Sequence, residues 1–173
     1  MLPLSQLREQ HGLLVVTDPI LLKLDGQVER PLQLTFADLE AVDDRFQIAD
    51  VSRASPGRQG DAVTLAGLLE LARAKSSAEY LGLHSTADDF HASIPLAPVR
   101  AQSFFIYRLN GQPLTAAVGG PIRFFIPDHA ECHTDEVDEC ANVKFVEHVE
   151  LTAEKGYDNR PEDDDEHEAL HRH

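Results

Sequence analysis

The sequence predicts an α+β fold in which strands outnumber helices. Two segments combine a helix cap with helical spacing of apolar residues. From residue 78 onward the chain is instead a series of short apolar runs broken by Pro and Gly. Nowhere do strand and helix alternate regularly, so a parallel doubly wound sheet is not expected. At 173 residues the chain suits one domain, large enough to bury roughly 70% of its unfolded surface.

Residues 13–17 (LLVVT) and 20–24 (ILLKL) read as short strands joined through Asp18-Pro19, and Asp25-Gly26 marks a tight turn. Pro31 confines the following VERPLQL to an edge or irregular strand, because proline cannot donate to a ladder. A helix is expected over Phe36–Val42, with Thr35 as N-cap and Asp38 three residues on to close a capping box. A strand over 45–49 (RFQIA) and a loop over 50–61 come next. The clearest helix is Leu65–Lys75, capped by Thr64, with Leu65, Leu68, Leu69 and Ala72 on one face. Residues 78–84, 104–109, 122–126 and 143–151 are strand candidates. Pro95, Pro98, Asn110-Gly111, Gly119-Gly120-Pro121 and Pro127 separate them. The expected division is one domain over 1–157 and an acidic, His-containing tail over 158–173.

The charge of −15 is unevenly placed. Residues 1–127 carry 14 acids and 11 bases, whereas residues 128–173 carry 16 acids and 4 bases. Such a surface disfavours nucleic acid as a partner. No apolar run reaches the ~20 residues needed to span a bilayer, so membrane insertion is not expected. The opening MLPLSQLREQHG has no basic, apolar and small-residue sequence of a secretory signal, which points to a cytoplasmic location. The acidic quarter reads first as a solvated face that favours solubility, and otherwise as a site for a cation or a basic partner; a protein partner or a homo-oligomer stays open.

Four segments in the second half, HSTADDFHASIPL, FFIYRLNGQPL, GGPIRFFIP and NVKFVEHVEL, follow LDGQVERPLQLTFADLEAV and DAVTLAGLLELA in the first. Their order and gaps resemble the molybdopterin-binding domain of the sulfite oxidase family. The resemblance implies mixed β-sheets with a few short helices and a molybdenum–pterin cofactor that exchanges an oxygen atom with substrate. In that family a cysteine thiolate, a soft ligand, ties the metal. Its place here falls near Asp50–Ser52, where the loop holds Asp50, Ser52 and Ser55, and no cysteine precedes Cys132. Val118 stands where the family often has a histidine, and the chain has no Trp. The expectation is therefore a divergent member with impaired or lost oxygen-atom transfer. The alternative is a non-catalytic binding or assembly subunit on the same scaffold. The cofactor's phosphate calls for basic groups, and Arg53, Arg58, Arg108, Arg123 and Lys144 are the candidate set.

Two further patterns invite metal. His129, Cys132, His133 and Cys140 place zinc-type donors within one short loop, although a disulfide between the cysteines, or two unlinked thiols, are the commoner outcomes. His167-Glu168-Ala169-Leu170-His171 matches HExxH, but it ends two residues before the last residue among acids and has no third ligand, which argues against a protease. His84 and His91 flank STADDF; they could line a cleft but read first as structural histidines.

Overall fold

Ten strands and three short helices form around two five-stranded sheets in the computed structural model, which describes residues 18–128, 132 and 134–161. The first expected strand, 13–17, lies outside the described residues, as does the HExxH match. The strands are β1 (Ile20–Gly26), β2 (Leu32–Thr35), β3 (Gln47–Ile48), β4 (Asp61–Thr64), β5 (Tyr80–Ser85), β6 (Phe90–Pro95), β7 (Phe104–Leu109), β8 (Gln112–Pro113), β9 (Arg123–Phe125) and β10 (His148–Thr152). The helices are α1 (Phe36–Glu40), α2 (Leu65–Ala72) and α3 (Leu96–Val99).

Local chemistry explains the starts and stops. Thr35 Oγ1 accepts from the Asp38 amide at 3.1 Å while Asp38 Oδ2 accepts from the Thr35 amide at 3.0 Å, which closes the capping box on α1. Thr64 Oγ1 accepts from the Gly67 amide at 3.1 Å and starts α2. That helix ends at Ala72, three residues earlier than its spacing suggests, because Arg73 turns into the left-handed region at φ 53°. Asn110 (φ 53°) and Gly111 (φ 78°) both take positive φ and reverse the chain between β7 and β8.

The first sheet runs β2-β1-β10-β5-β6, with β1 and β10 parallel and the other pairs antiparallel. As the proline requires, β2 lies at its edge. The second sheet runs β3-β4-β7-β8, and β9 also pairs with β7. Leu22, Leu24, Leu81, Leu83, Val149 and Leu151 alternate onto the inner face of the first sheet. There they join one core with α2 and with Phe105, Tyr107 and Phe124 of the second sheet. The other face of β7 carries Phe104 and Ile106 into a smaller cluster with Val51, Ala62 and Leu114.

Two sequence expectations need correction, and one strand carries no sequence signal. The segment 45–49 is mostly a 3-10 turn, Asp44–Phe46, with only Gln47–Ile48 paired. Residues 143–147 are not strand: Phe145 has φ 56°, and the Phe145 and Val146 amides donate to the Gly119 and Ile122 carbonyls, wrapping the segment round the Gly119–Pro121 turn. Phe90–Pro95, which shows no clean alternation and ends in proline, is nevertheless a full strand paired along its length with β5.

Candidate functional site

The smaller apolar cluster floors an open cleft of ≈ 190 Å³ whose walls include Gly57, Arg58, Val118 and Arg123 above Ile106 and Leu114. Two local structures place the arginines. In the loop after β3, the Val51 amide donates to the Gly60 carbonyl at 2.8 Å, the Ser55 amide to Val51 at 2.8 Å and the Arg58 amide to Ser55 at 3.1 Å. These turns bring the Arg58 guanidinium 4.6 Å from the centroid of the Phe125 ring. On β9, Phe124 points into the main core, so its neighbours Arg123 and Phe125 point the other way.

Gly119 makes room for Arg123. It has φ +88°, and a Cβ there would lie 2.8 Å from Arg123 Cδ. Arg123 Nη1 donates to the Val118 carbonyl at 3.3 Å. Burial, and then the neighbouring Arg58 charge, pull its pKa below the ordinary arginine value. Among the described residues neither Arg58 nor Arg123 has a carboxylate within ion-pair distance. Two adjacent cations without a carboxylate partner among the described residues, in a cleft, are suited to hold an anion.

The other basic candidates are not gathered there. Arg108 is held by Asp61 at 2.7 Å and Glu40 at 2.8 Å. Arg53 ends the 3-10 turn Val51–Arg53, and Lys144 is exposed beside the Gly119–Pro121 turn; neither lines the cleft. At the position expected to carry a thiolate, Asp50 sits at φ 69° and its carboxylate accepts from the Ser52 amide at 3.1 Å and from the Ser52 hydroxyl. Those two bonds hold the Asp50 carboxyl below the usual carboxylate range. The loop therefore offers oxygen donors only.

Of the four expected metal ligands, His129 and His133 lie outside the described residues. Cys132 is buried, accepting from Gln102 Nε2 at 3.5 Å and lying 3.8 Å from the Pro98 carbonyl. Cys140 is half-buried, and no disulfide joins the two. Among the described residues no three His, Cys, Asp or Glu side chains are gathered as a metal-ligand set.

A second cavity, of ≈ 630 Å³, opens on the outer face of the first sheet. His148 of β10, His84 of β5 and His91 of β6 are direct cross-strand partners and so stand in one row. The His84 ring centroid is 5.1 Å from that of His91 and 5.2 Å from that of His148. Tyr157 closes one side, 4.8 Å from the His91 ring. Desolvation, reinforced by the charge on His148, lowers the His84 pKa. Sequence reasoning placed His84 and His91 beside a turn but missed His148, which joins them only through non-local pairing.

The family model for the oxidoreductase molybdopterin binding domain matches residues 15–158. No curated protein matches the chain. Among solved structures, the sulfane dehydrogenase SoxCD from Paracoccus pantotrophus is similar, with a TM-score of 0.57 and 20% identity. That match covers 79% of this chain and 39% of the SoxCD chain, so the present chain corresponds to well under half of that neighbour. The present chain's two sheets, one mixed and one antiparallel, with few helices are the sulfite oxidase-type fold. No helix among the described residues is long and apolar enough to cross a membrane.

Proposed function

The chain belongs to the oxidoreductase molybdopterin binding domain family, and from that premise we propose that it binds a molybdopterin-type cofactor while having lost, or nearly lost, oxygen-atom transfer. The observation that carries this reading is the Arg58–Arg123 pair, two cations with no carboxylate partner among the described residues. The phosphate-bearing end of the cofactor fits such a pair, which supplies charge-assisted donors in place of water. The metal anchor does not fit: Asp50 and Ser52 present hard oxygens, already hydrogen-bonded to each other, where a soft thiolate is required. No step of metal chemistry is therefore assigned to these residues.

The second reading, a non-catalytic binding or assembly subunit, is favoured by the same missing thiolate and differs only in whether the cleft is filled. The test is purification of the untagged protein from cofactor-producing cells, followed by elemental analysis and fluorescence of released, oxidised pterin. The expected result is pterin in the wild type, with Arg58→Ala/Arg123→Ala losing most of it, and no turnover of sulfite-type substrates. Molybdenum at near one per chain with turnover would refute the loss of chemistry. Absent pterin, with a stable complex on gel filtration, would favour the assembly reading.

A further inference from the structure

The histidine row on the first sheet has a regularity that an incidental polar face does not require. Each ring directs its Nε2 at a carboxylate: His84 at Glu150 (3.4 Å), His91 at Asp89 (3.1 Å) and His148 at Asp25 (2.6 Å). An ionised carboxylate only accepts, so each Nε2 carries a proton, and in the neutral ring the Nδ1 is then the free ligand atom. The Nδ1 atoms of His84 and His91 face one another at 2.9 Å. At that distance the two nitrogens share either one proton, as an N–H···N hydrogen bond, or one metal ion.

We infer that His84 and His91 form the core of a site for a divalent late transition-metal ion, bound between their two Nδ1 atoms in the outer-face cavity. Imidazole nitrogens suit zinc, nickel and copper. Two nitrogens at 2.0–2.1 Å from a tetrahedral metal stand roughly 3.3 Å apart, so the pair needs to open by only about 0.4 Å. The Nε2–H to carboxylate contacts are the outer-shell bonds that fix the tautomer and orientation of metal-bound histidine.

The surroundings supply the rest. Gly82 lies beside the pair, and a Cβ there would approach His84 Nε2 to 3.0 Å, so glycine leaves the ring its place. The His91 amide donates to Asn159 Oδ1 at 2.8 Å, and the Asn159 amide donates back to the His91 carbonyl at 3.0 Å, which pins the strand edge. Asp25 and Glu147 add negative charge to the cavity wall, against one Lys23. Since among the described residues no three side chains are gathered on one point, the remaining coordination positions face the cavity, where water or a small ligand completes the set and His148 stands adjacent.

The experiment is titration of the untagged full-length chain with Cu²⁺, read by electron paramagnetic resonance for nitrogen ligands and by stoichiometry. One equivalent with two imidazole nitrogens is expected, lost in His84→Gln/His91→Gln. It should survive in a full-length variant with His11, His129, His133, His167, His171 and His173 all changed to Ala, which removes the competing histidines outside the described residues. Asp89→Asn and Glu150→Gln keep both ligands and are expected to weaken binding by about 10–100-fold, so the outcome does not depend on the double variant folding. Should Cu²⁺ bind equally well to a folded His84→Gln/His91→Gln, or should the two carboxylate variants bind as the wild type does, the site is wrong. If no equivalent binds at all, the cation between the rings is only a shared proton and the inference falls.

Discussion

Removing the Arg160 guanidinium tests how the segment after β10 is secured. Arg160 and Asp158 have side chains only 8% and 10% exposed. Arg160 Nη2 lies 2.6 Å from Asp158 Oδ2, and Arg160 Nε lies 3.0 Å from both Asp158 oxygens. Nη1 reaches the Glu136 carbonyl at 2.8 Å and Asp138 at 3.3 Å. Arg160→Met keeps the aliphatic stem but leaves the Asp158 carboxylate buried beside only the Ser93 and Arg160 amides. Breaking a buried pair from one side costs about 3–5 kcal/mol; those two amides remain, so the lower end, about 3 kcal/mol, is expected. For a chain of this size that lowers the Tm by roughly 6–12 °C.

The pH dependence follows with a definite sign. Burial pushes the Asp158 carboxyl up, but the hydrogen bonds from the Arg160 side chain and from the Ser93 and Arg160 amides outweigh it, and its pKa ends below the ordinary value. A carboxyl depressed on folding contributes stability that is fully present above its unfolded pKa of about 3.9 and is lost as pH falls through the folded value. Arg160→Met should therefore unfold in acid at a higher pH than the wild type, with most of the difference between the two proteins already present at pH 7. Thermal melts and acid titrations by circular dichroism read both effects. A loss under about 1 kcal/mol with an unmoved acid midpoint would refute the reasoning, because it would mean the pair is solvated like a surface bridge.

Three further outcomes are expected. Gly119→Ala forces a Cβ into the left-handed region and against Arg123 Cδ, so it should cost about 1–2 kcal/mol and reduce pterin content, measured by melting and by fluorescence of released pterin. Thr35→Ala removes one half of the capping box on α1 and should cost about 1 kcal/mol in urea unfolding; an unchanged midpoint would show that the short helix is held by Leu39 alone. Phe105→Ala deletes a fully buried ring tilted against Phe124 at 5.1 Å between centroids and should cost about 3–5 kcal/mol, against well under 1 kcal/mol for a change at exposed Lys144.

What was legible in the sequence was local. The Thr35–Asp38 box, the Thr64 cap and the Asn110-Gly111 reversal depend on residues within a few positions of one another, and each is found as its chemistry dictates. The quoted segments carried the family, because several turns had to coincide in order and spacing. The candidate site was legible in kind but not in membership. Arg108 and Arg123 look alike in sequence, yet Asp61 and Glu40, 47 and 68 residues away, hold one of them, while β9 alternation turns the other into the cleft. Residues 143–147 alternate like a strand but are drawn off by the Gly119 and Ile122 carbonyls, a partner no local pattern announces.

The histidine row shows how far such non-local effects reach. His84 and His91 are opposite because a four-residue turn joins β5 to β6, but His148 is opposite His84 only through the register of β10. That register is set by the buried face: Leu81 and Leu83 lie against Leu151 and Val149 in the core. A slip of one residue would drive His148 inward and expose Val149 and Leu151, at a cost of about 1.5–3 kcal/mol for each apolar side chain brought out. The geometry of the outer-face site is therefore enforced by the apolar residues on the opposite side of the same sheet. A substitution that loosens that core, such as Leu83→Ala, should disturb the imidazole pair without touching it.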